Sequence, residues 1–187
     1  MRIDIWSDFG HPASRLGRQR LQEALATFAH GGDCEVTWHS YLLDRNAPAE
    51  SNTFDAHRVL QMAAAAGLAT AAQERLGRAA DEGVSLGDRA TLARLAGEFG
   101  LEPDAVTEML DSDDFGWEVR SDEATAKMIE VPDIPFVVLD RKYSVTGATD
   151  VDVLVGALQL AWDEQGQAAP EREAAGCGGN CAGCACG

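Results

Sequence analysis

The first forty residues carry a strand–helix–strand pattern, and this order constrains the fold more than any other feature of the chain. Residues 2–6 alternate between polar and apolar types, which predicts a strand. Apolar residues then recur at helical spacing over residues 12–28, with Pro12 at a first helical position and Gly31 as a stop signal. Residues 35–40 alternate again. Because such a β-α-β unit has parallel strands and a right-handed crossover, we expect an α/β fold.

The rest of the chain adds helices, a hairpin and one more helix. Between residues 53 and 129 every segment with readable periodicity is helical, which predicts an inserted layer of four or five helices. Residues 136–139 and 143–145 have strand character and flank a short polar turn, so we expect a hairpin. An apolar stripe over residues 151–162 indicates a last helix.

Net charge and hydropathy limit the partners and the compartment. The formal net charge of -16 repels phosphate backbones and anionic membranes, so we expect neither nucleic acid nor a membrane as a partner. The start of the chain alternates instead of forming the continuous apolar run of an export signal, and no stretch reaches the roughly 18 apolar residues of a membrane span. We therefore expect a cytoplasmic protein, whose thiols stay reduced.

The cysteines are placed very unevenly. Cys34 stands alone before a predicted strand, where a buried small apolar residue is its ordinary role. The other four lie in a segment rich in glycine and alanine, residues 166–187, which we predict to be a flexible tail: Cys177, Cys181, Cys184 and Cys186. No cofactor is certain, but four thiolates can hold Zn(II) or Cu(I). Alternatively, Cys181 and Cys184 form a redox-active Cys-x-x-Cys pair, or the tail has no chemistry of its own.

Several short sequences, taken in their order and spacing, resemble one known family. They are Ser7-Asp8, Leu16-Gly17-Arg18, the Asn-Thr-Phe-Asp-Ala-His-Arg stretch at residues 52–58, the proline-containing residues 131–139, and Gly147-Ala148. The chain resembles the DsbA-like oxidoreductases of the FrnE branch, whose relatives include 2-hydroxychromene-2-carboxylate isomerase and kappa-class glutathione transferase.

The resemblance implies a thioredoxin-like α/β fold with an α-helical insertion. We expect a discontinuous thioredoxin-like domain at residues 1–46 and 130–165, the insertion at residues 47–129 and the cysteine-rich tail at residues 166–187. It also implies protein or peptide thiols and disulfides, or a small thiol ligand, as partners.

The family's redox motif is degenerate in this chain. In the family the first helix begins with Cys-Pro-Trp-Cys, and the aligned residues here are His11, Pro12, Ala13 and Ser14. Disulfide exchange requires a thiolate, so we predict that these four residues are redox-inert. His11 either closes the turn, binds a ligand or acts as a base toward Ser14. The last role is plausible chemically because a helix N-terminus favours the neutral, basic form of the imidazole.

The resemblance also implies a substrate groove. Pro135 aligns with the family's cis-proline, and Ile134 before it would offer its backbone to an extended substrate. Pro12 stays at the start of the first helix. Asn52 and Arg58 would lie near the groove, with helix capping and an exposed surface charge as their alternative roles.

Two function classes stay open at this point. The first is an oxidoreductase in which Cys181 and Cys184 replace the lost motif; a linker of about a dozen residues has a coil reach on the order of 20 Å, enough for the tail to visit the groove. The second is a non-catalytic binding protein for a peptide, a thiol ligand or a metal held by the tail.

Overall fold

The computed structural model describes residues 1–167. A four-stranded sheet has the order β2-β1-β3-β4, where β1 is Arg2–Ser7, β2 is Glu35–Ser40, β3 is Phe136–Leu139 and β4 is Tyr143–Thr146. Strand β1 is parallel to β2 and antiparallel to β3, and β3 is antiparallel to β4. The predicted β-α-β unit and hairpin are therefore both present.

Seven α-helices occur in the described part of the chain. Helix α1 (Pro12–Thr27) connects β1 to β2, and α7 (Val151–Gln167) follows the hairpin. Between β2 and β3 lie α2 (Phe54–Ala65), α3 (Ala69–Asp81), α4 (Arg89–Glu98), α5 (Pro103–Asp111) and α6 (Gly116–Met128). None of these helices is long and apolar enough to cross a membrane.

The two faces of the sheet have different coverings. Strand residues alternate between faces, so Ile3 and Ile5 lie on one face of β1 while Asp4 and Trp6 lie on the other. The isoleucines join a large core with α1, α7 and the inserted helices. Trp6 joins a smaller cluster that includes Ala126 of α6.

Helix α7 continues through Gln167, two residues into the segment predicted as the tail. A glycine near the last turn weakens a helix without necessarily ending it, and helix ends are the least certain part of a sequence-based assignment. Cys177, Cys181, Cys184 and Cys186 lie outside the described residues.

Candidate functional site

The turn between β1 and α1 has the backbone geometry that starts a helix. His11 is the N-cap, with an extended backbone at φ -95° and ψ 119°, and Pro12 is the first helical residue. The His11 N–H donates to the Asp8 carbonyl at 3.2 Å, and the Arg15 N–H donates to the His11 carbonyl at 3.1 Å. The His11 side chain makes no capping bond. The helix N-terminus is therefore preserved although its side chains have changed.

The Ser14 hydroxyl is buried inside this turn. Ser14 is only 3% exposed. Its Oγ accepts the N–H of Asp8 at 3.3 Å and lies 3.4 Å from Nδ1 of His11. In the described residues, no carboxylate orients His11. A general base normally needs such a partner to activate a serine, so this pair does not form a catalytic triad.

Asp8 anchors the turn to the start of the insertion. Its Oδ1 accepts the Gly10 N–H at 3.0 Å and the Thr53 hydroxyl at 2.7 Å, while Oδ2 accepts the Leu43 N–H at 2.9 Å. His57 Nε2 lies 3.8 Å from Oδ1. Burial opposes the charge of this carboxylate, but His57, Leu43 and Thr53 outweigh that effect and hold the pKa of Asp8 well below its usual value. Asp8 is thus a buried anion with its own set of donors.

His57 is the packed histidine of this site. It is 1% exposed, and its ring lies 5.0 Å from the Phe9 ring. Its separation from Asp8 is too long for a hydrogen bond, so the attraction between them is electrostatic. His57 therefore contributes to the stability of the Asp8 anion.

Pro135 packs directly against α1. The Ile134–Pro135 peptide bond is cis. A methyl group added at Gly17 would lie 2.3 Å from Cγ of Pro135, so only glycine permits this contact. Gly17 follows Ser14 by one helical turn on the same face of α1, which places Pro135 beside the motif. Pro135 and the start of α1, which were predicted to form the groove together, are therefore neighbours.

The backbone of Ile134 is less available than expected. Its side chain is buried, and its N–H donates to the Asp133 carboxylate at 2.8 Å. Ile134 is expected to offer its backbone to an extended substrate, and of that backbone the N–H already has an acceptor within the chain.

Asn52 and Arg58 both have structural contacts. The Asn52 side chain accepts the Phe54 N–H at 2.9 Å at the start of α2. For Arg58 the alternative role of an exposed surface charge is wrong, because Arg58 is only 3% exposed. Its donors bond Asp55 and the main-chain carbonyls that follow α5, at Met109, Leu110, Ser112 and Asp114. With these acceptors Arg58 holds the end of α5 and has little capacity for a ligand.

Asn52 and Arg58, both predicted to lie near a substrate groove, line one cavity whose other arginines sequence reasoning missed. It has a volume of about 770 Å³ and is lined by Arg45, Arg58, Arg89 and Arg120, and we call it the arginine cavity. Its arginines come from separate elements with no shared motif, so no pattern along the chain could reveal it.

Two carboxylates hold the arginines in place. Arg45 pairs with Glu123 at 2.9 Å, and Arg89 pairs with Asp55 at 2.8 Å. Burial raises the pKa of Glu123 against the pull of Arg45. Arg120 lies over the Phe54 ring at 5.2 Å and makes no ion pair with the described residues, so it can receive an anion.

Cys34 lies far from the motif. It precedes β2, at the end of the sheet opposite the β1–α1 turn. Its thiol is half-buried and lies 3.4 Å from the His30 carbonyl oxygen, and burial raises the pKa of the thiol. Within residues 1–167 no cluster of three or more metal-ligating side chains occurs.

Comparisons with known proteins agree on one fold. A model described as a DSBA-like thioredoxin domain matches residues 2–159. A crystal structure of a probable DsbA oxidoreductase from Streptomyces coelicolor is 29% identical, with a TM-score of 0.81 over 88% of this chain and 91% of that chain. No match was found among curated proteins.

Two more distant structures share the fold. A 2-hydroxychromene-2-carboxylate isomerase is 16% identical, with a TM-score of 0.74 over 91% of this chain and 100% of that chain. The cytosolic disulfide reductase DsbM from Pseudomonas aeruginosa with GSH is 16% identical, with a TM-score of 0.63 over 89% of this chain and 98% of that chain. The predicted thioredoxin-like α/β fold with a helical insertion is confirmed.

Proposed function

The chain belongs to the DSBA-like thioredoxin domain family, and from this premise we propose that it is an FrnE-like member whose helix motif has lost disulfide exchange. Any redox activity then rests on Cys181 and Cys184. We place this activity in the cytoplasm, with protein or peptide thiols and disulfides as substrates.

The buried Ser14 hydroxyl carries the first half of this proposal. Disulfide exchange requires a thiolate nucleophile, and a helix N-terminus assists by favouring the anion. A serine hydroxyl does not ionise at physiological pH, and Ser14 Oγ already accepts a hydrogen bond within the turn. The Cys34 thiol, at the other end of the sheet, has a raised pKa and cannot substitute for it.

The tail can supply the missing sulfur chemistry. A thiolate of Cys181 or Cys184 would attack a substrate disulfide and form a mixed disulfide. The second tail thiolate would then attack the tail sulfur of this mixed disulfide and release the substrate sulfur as a thiolate, so that the tail ends as a disulfide and the substrate as a dithiol. Two electrons and two protons pass to the substrate, and dithiothreitol or a cellular thiol regenerates the tail.

Insulin reduction tests this proposal. With dithiothreitol as reductant, the full chain should accelerate insulin precipitation, and Cys181→Ser/Cys184→Ser should abolish the acceleration. Cys34→Ser is the matched control and should retain it. Equal rates for the full chain and the double variant would sink the redox role of the tail.

The arginine cavity favours a second candidate, a non-catalytic binding protein. The cavity is lined by four arginines and three carboxylates, and Arg120 is the one of these arginines that makes no ion pair within residues 1–167. Such a lining suits a ligand with carboxylates, for example an acidic peptide or glutathione, and the DsbM structure named above contains GSH.

Calorimetric titration with glutathione distinguishes this candidate. Arg120→Ala should weaken binding about two- to fivefold, the range of one exposed ion pair. Arg94→Ala is the matched control, because Arg94 is exposed on α4 and pairs with Glu98. Equal affinity in the two variants would remove the cavity from the proposal.

Metal binding by the tail is the remaining proposal from the cysteines. The four tail thiols would hold one Zn(II) or Cu(I). Zinc titration of the reduced full chain should show one site that Cys181→Ser/Cys184→Ser removes, while weak binding that survives the change would contradict it.

A further inference from the structure

A separate cavity opens on the sheet face that α6 only partly covers. It has a volume of about 520 Å³, and we call it the sheet-face cavity. Its floor is formed by Trp6, His39, Phe136 and Val138 from three neighbouring strands. Helix α6 covers the floor from one side near Thr125, and the hairpin turn borders the other side. The volume lies within the range of small-molecule sites.

The floor is aromatic and rigid. The rings of Trp6 and His39 are stacked, with centroids 4.3 Å apart and planes 14° apart. The Trp6 indole N–H donates to the Asp122 carbonyl at 3.1 Å. Both ring nitrogens of His39 are also occupied, by Asp122 at 2.7 Å and by Asp4 at 2.8 Å. Because the polar edges bond internally, apolar surface dominates what the cavity offers to a flat ligand.

The rim carries positive charge. Arg2, Arg141 and Lys142 line the cavity. Arg2 bonds Asp4 at 2.7 Å, and Lys142 lies 3.8 Å from Glu164. Arg141 makes no ion pair with any residue in the range 1–167. It is therefore the cation at this rim with capacity for a ligand.

Arg141 occupies a position that suits glycine. The hairpin turn consists of Asp140 at φ 51° and Arg141 at φ 59°, and the Lys142 N–H closes it onto the Leu139 carbonyl at 3.0 Å. A β-turn with positive φ at both central residues strongly prefers glycine at the second of them. An arginine there is unfavourable for the backbone, which is consistent with a role for its side chain at the cavity.

We infer that the sheet-face cavity binds a planar aromatic carboxylate, with the ring on the Trp6–Val138 floor and the carboxylate at Arg141. None of the described residues predicted for the groove lines this cavity. Its cationic end, at Arg141 and Arg2, lies about 16 Å along β1 from the motif, although its floor extends to Trp6 and to Phe136, next to Pro135. The inference therefore stands whether or not the proposed function holds.

Titration of the full chain with 2-naphthoate tests the inference. Saturable binding with a dissociation constant of millimolar order is expected, because a ligand of this size gains only a small binding free energy. Arg141→Gly should weaken 2-naphthoate about two- to fivefold while leaving the protein at least as stable, since glycine suits the turn. The neutral analogue 2-naphthamide should bind both proteins equally.

A second variant locates the ligand. Ser144 is exposed on β4 beside Val138 and lines the cavity, so Ser144→Trp should fill it and weaken 2-naphthoate at least about tenfold. Ser144→Thr is the matched control and should bind normally. The inference is overturned by unsaturable binding, by unchanged affinity in Ser144→Trp, or by an Arg141→Gly effect that 2-naphthamide shares.

Discussion

His11 and Ser14 show how two side chains can change while the local backbone that surrounds them is kept. The N-cap geometry of α1 and the contact between Gly17 and Pro135 are both present. A thiolate here would be stabilised by the free N–H groups of the first helical turn. The site therefore lacks the sulfur atoms but keeps the surroundings that make sulfur reactive.

Restoring the two cysteines should restore the chemistry. We expect His11→Cys/Ser14→Cys, made in a Cys181→Ser/Cys184→Ser background, to form a disulfide and to accelerate insulin reduction. The side chains of residues 11 and 14 already meet, with Ser14 Oγ 3.4 Å from Nδ1 of His11, so a modest local adjustment can bring two sulfur atoms there into bonding distance. His11→Cys alone is the control and should stay inactive. Failure of the double variant to oxidise would mean that the groove differs from that of a working redox motif.

Asp8 is the residue on which the motif turn depends most. Asp8→Ala should lower the free energy of unfolding by about 2–4 kcal/mol, because the Gly10 and Leu43 N–H groups lose their acceptor inside the protein. Urea denaturation measures this. Asp163→Ala, on the exposed side of α7, is the control and should change stability by less than about 0.5 kcal/mol.

The same carboxylate predicts a pH dependence with a definite sign. The pKa of Asp8 is lowered by folding, so its contribution is present above the ordinary aspartate pKa of 3.8 and is lost as the pH falls through the folded value. The acid side of the stability curve should therefore be flatter in Asp8→Ala than in the unaltered protein.

At the scale of elements, the close approach of α1 to the segment before β3 builds the groove. Gly17 permits it, because a side chain at this position would collide with Pro135. The pairing of β1 with β3 fixes the position of Pro135, because Phe136, the next residue, is paired with Trp6 of β1. Pro135 is therefore held against α1 by this strand pairing as well as by its contact with Gly17.

Two glycine substitutions separate packing from helix propensity. Gly17→Ala should destabilise the protein by about 1–3 kcal/mol, because the new methyl group forces α1 and Pro135 apart. Gly156→Ala in α7 is the matched control: no atom lies within 4 Å of the added carbon, so it should stabilise by about 0.5–1 kcal/mol. Thermal denaturation compares them, and a neutral Gly17→Ala would contradict the packing argument.

At the scale of the whole molecule, one polar network joins the sheet to the insertion. His39 on β2 bonds Asp4 on β1 and Asp122 on α6. The second oxygen of Asp122 accepts the Gln61 amide of α2 at 2.7 Å and the Ser40 N–H at 2.8 Å. Two strands and two inserted helices therefore share a single set of hydrogen bonds.

Titration of His39 should weaken this connection. Burial disfavours the charged ring, but Asp122 and Asp4 outweigh burial and raise the pKa of His39. Its stabilisation is complete below the unfolded value of 6.5 and is lost as the pH rises through the folded value. Burial likewise opposes the charge of Asp4, yet Arg2 and His39 lower its pKa, so its contribution is lost toward acid.

The free energy of unfolding should therefore decline as the pH rises above about 6.5. His39→Gln should flatten this decline, and Asp122→Asn should reduce it, as measured by denaturant titration at several pH values. An unchanged slope in His39→Gln would assign the pH dependence to another group.

The sequence by itself determined the order of elements and the absence of sulfur from the motif. Periodicity is a local property: apolar residues recur every two positions in a strand and every three to four positions in a helix. The β-α-β unit, the insertion, the hairpin and the last helix were therefore all predictable. The alignment of residues 11–14 with a redox motif came from the resemblance to the family, in which Cys-Pro-Trp-Cys begins the first helix.

The tertiary structure alone decided which distant side chains meet. Arg58 meets the carbonyls after α5, Asp8 meets Thr53, and His39 meets Asp122 across 83 positions of the chain. The arginine cavity and the sheet-face cavity also exist only where separate elements converge. Such contacts depend on how helices and strands pack, and no local spacing along the chain records the distance between two elements once they have folded together.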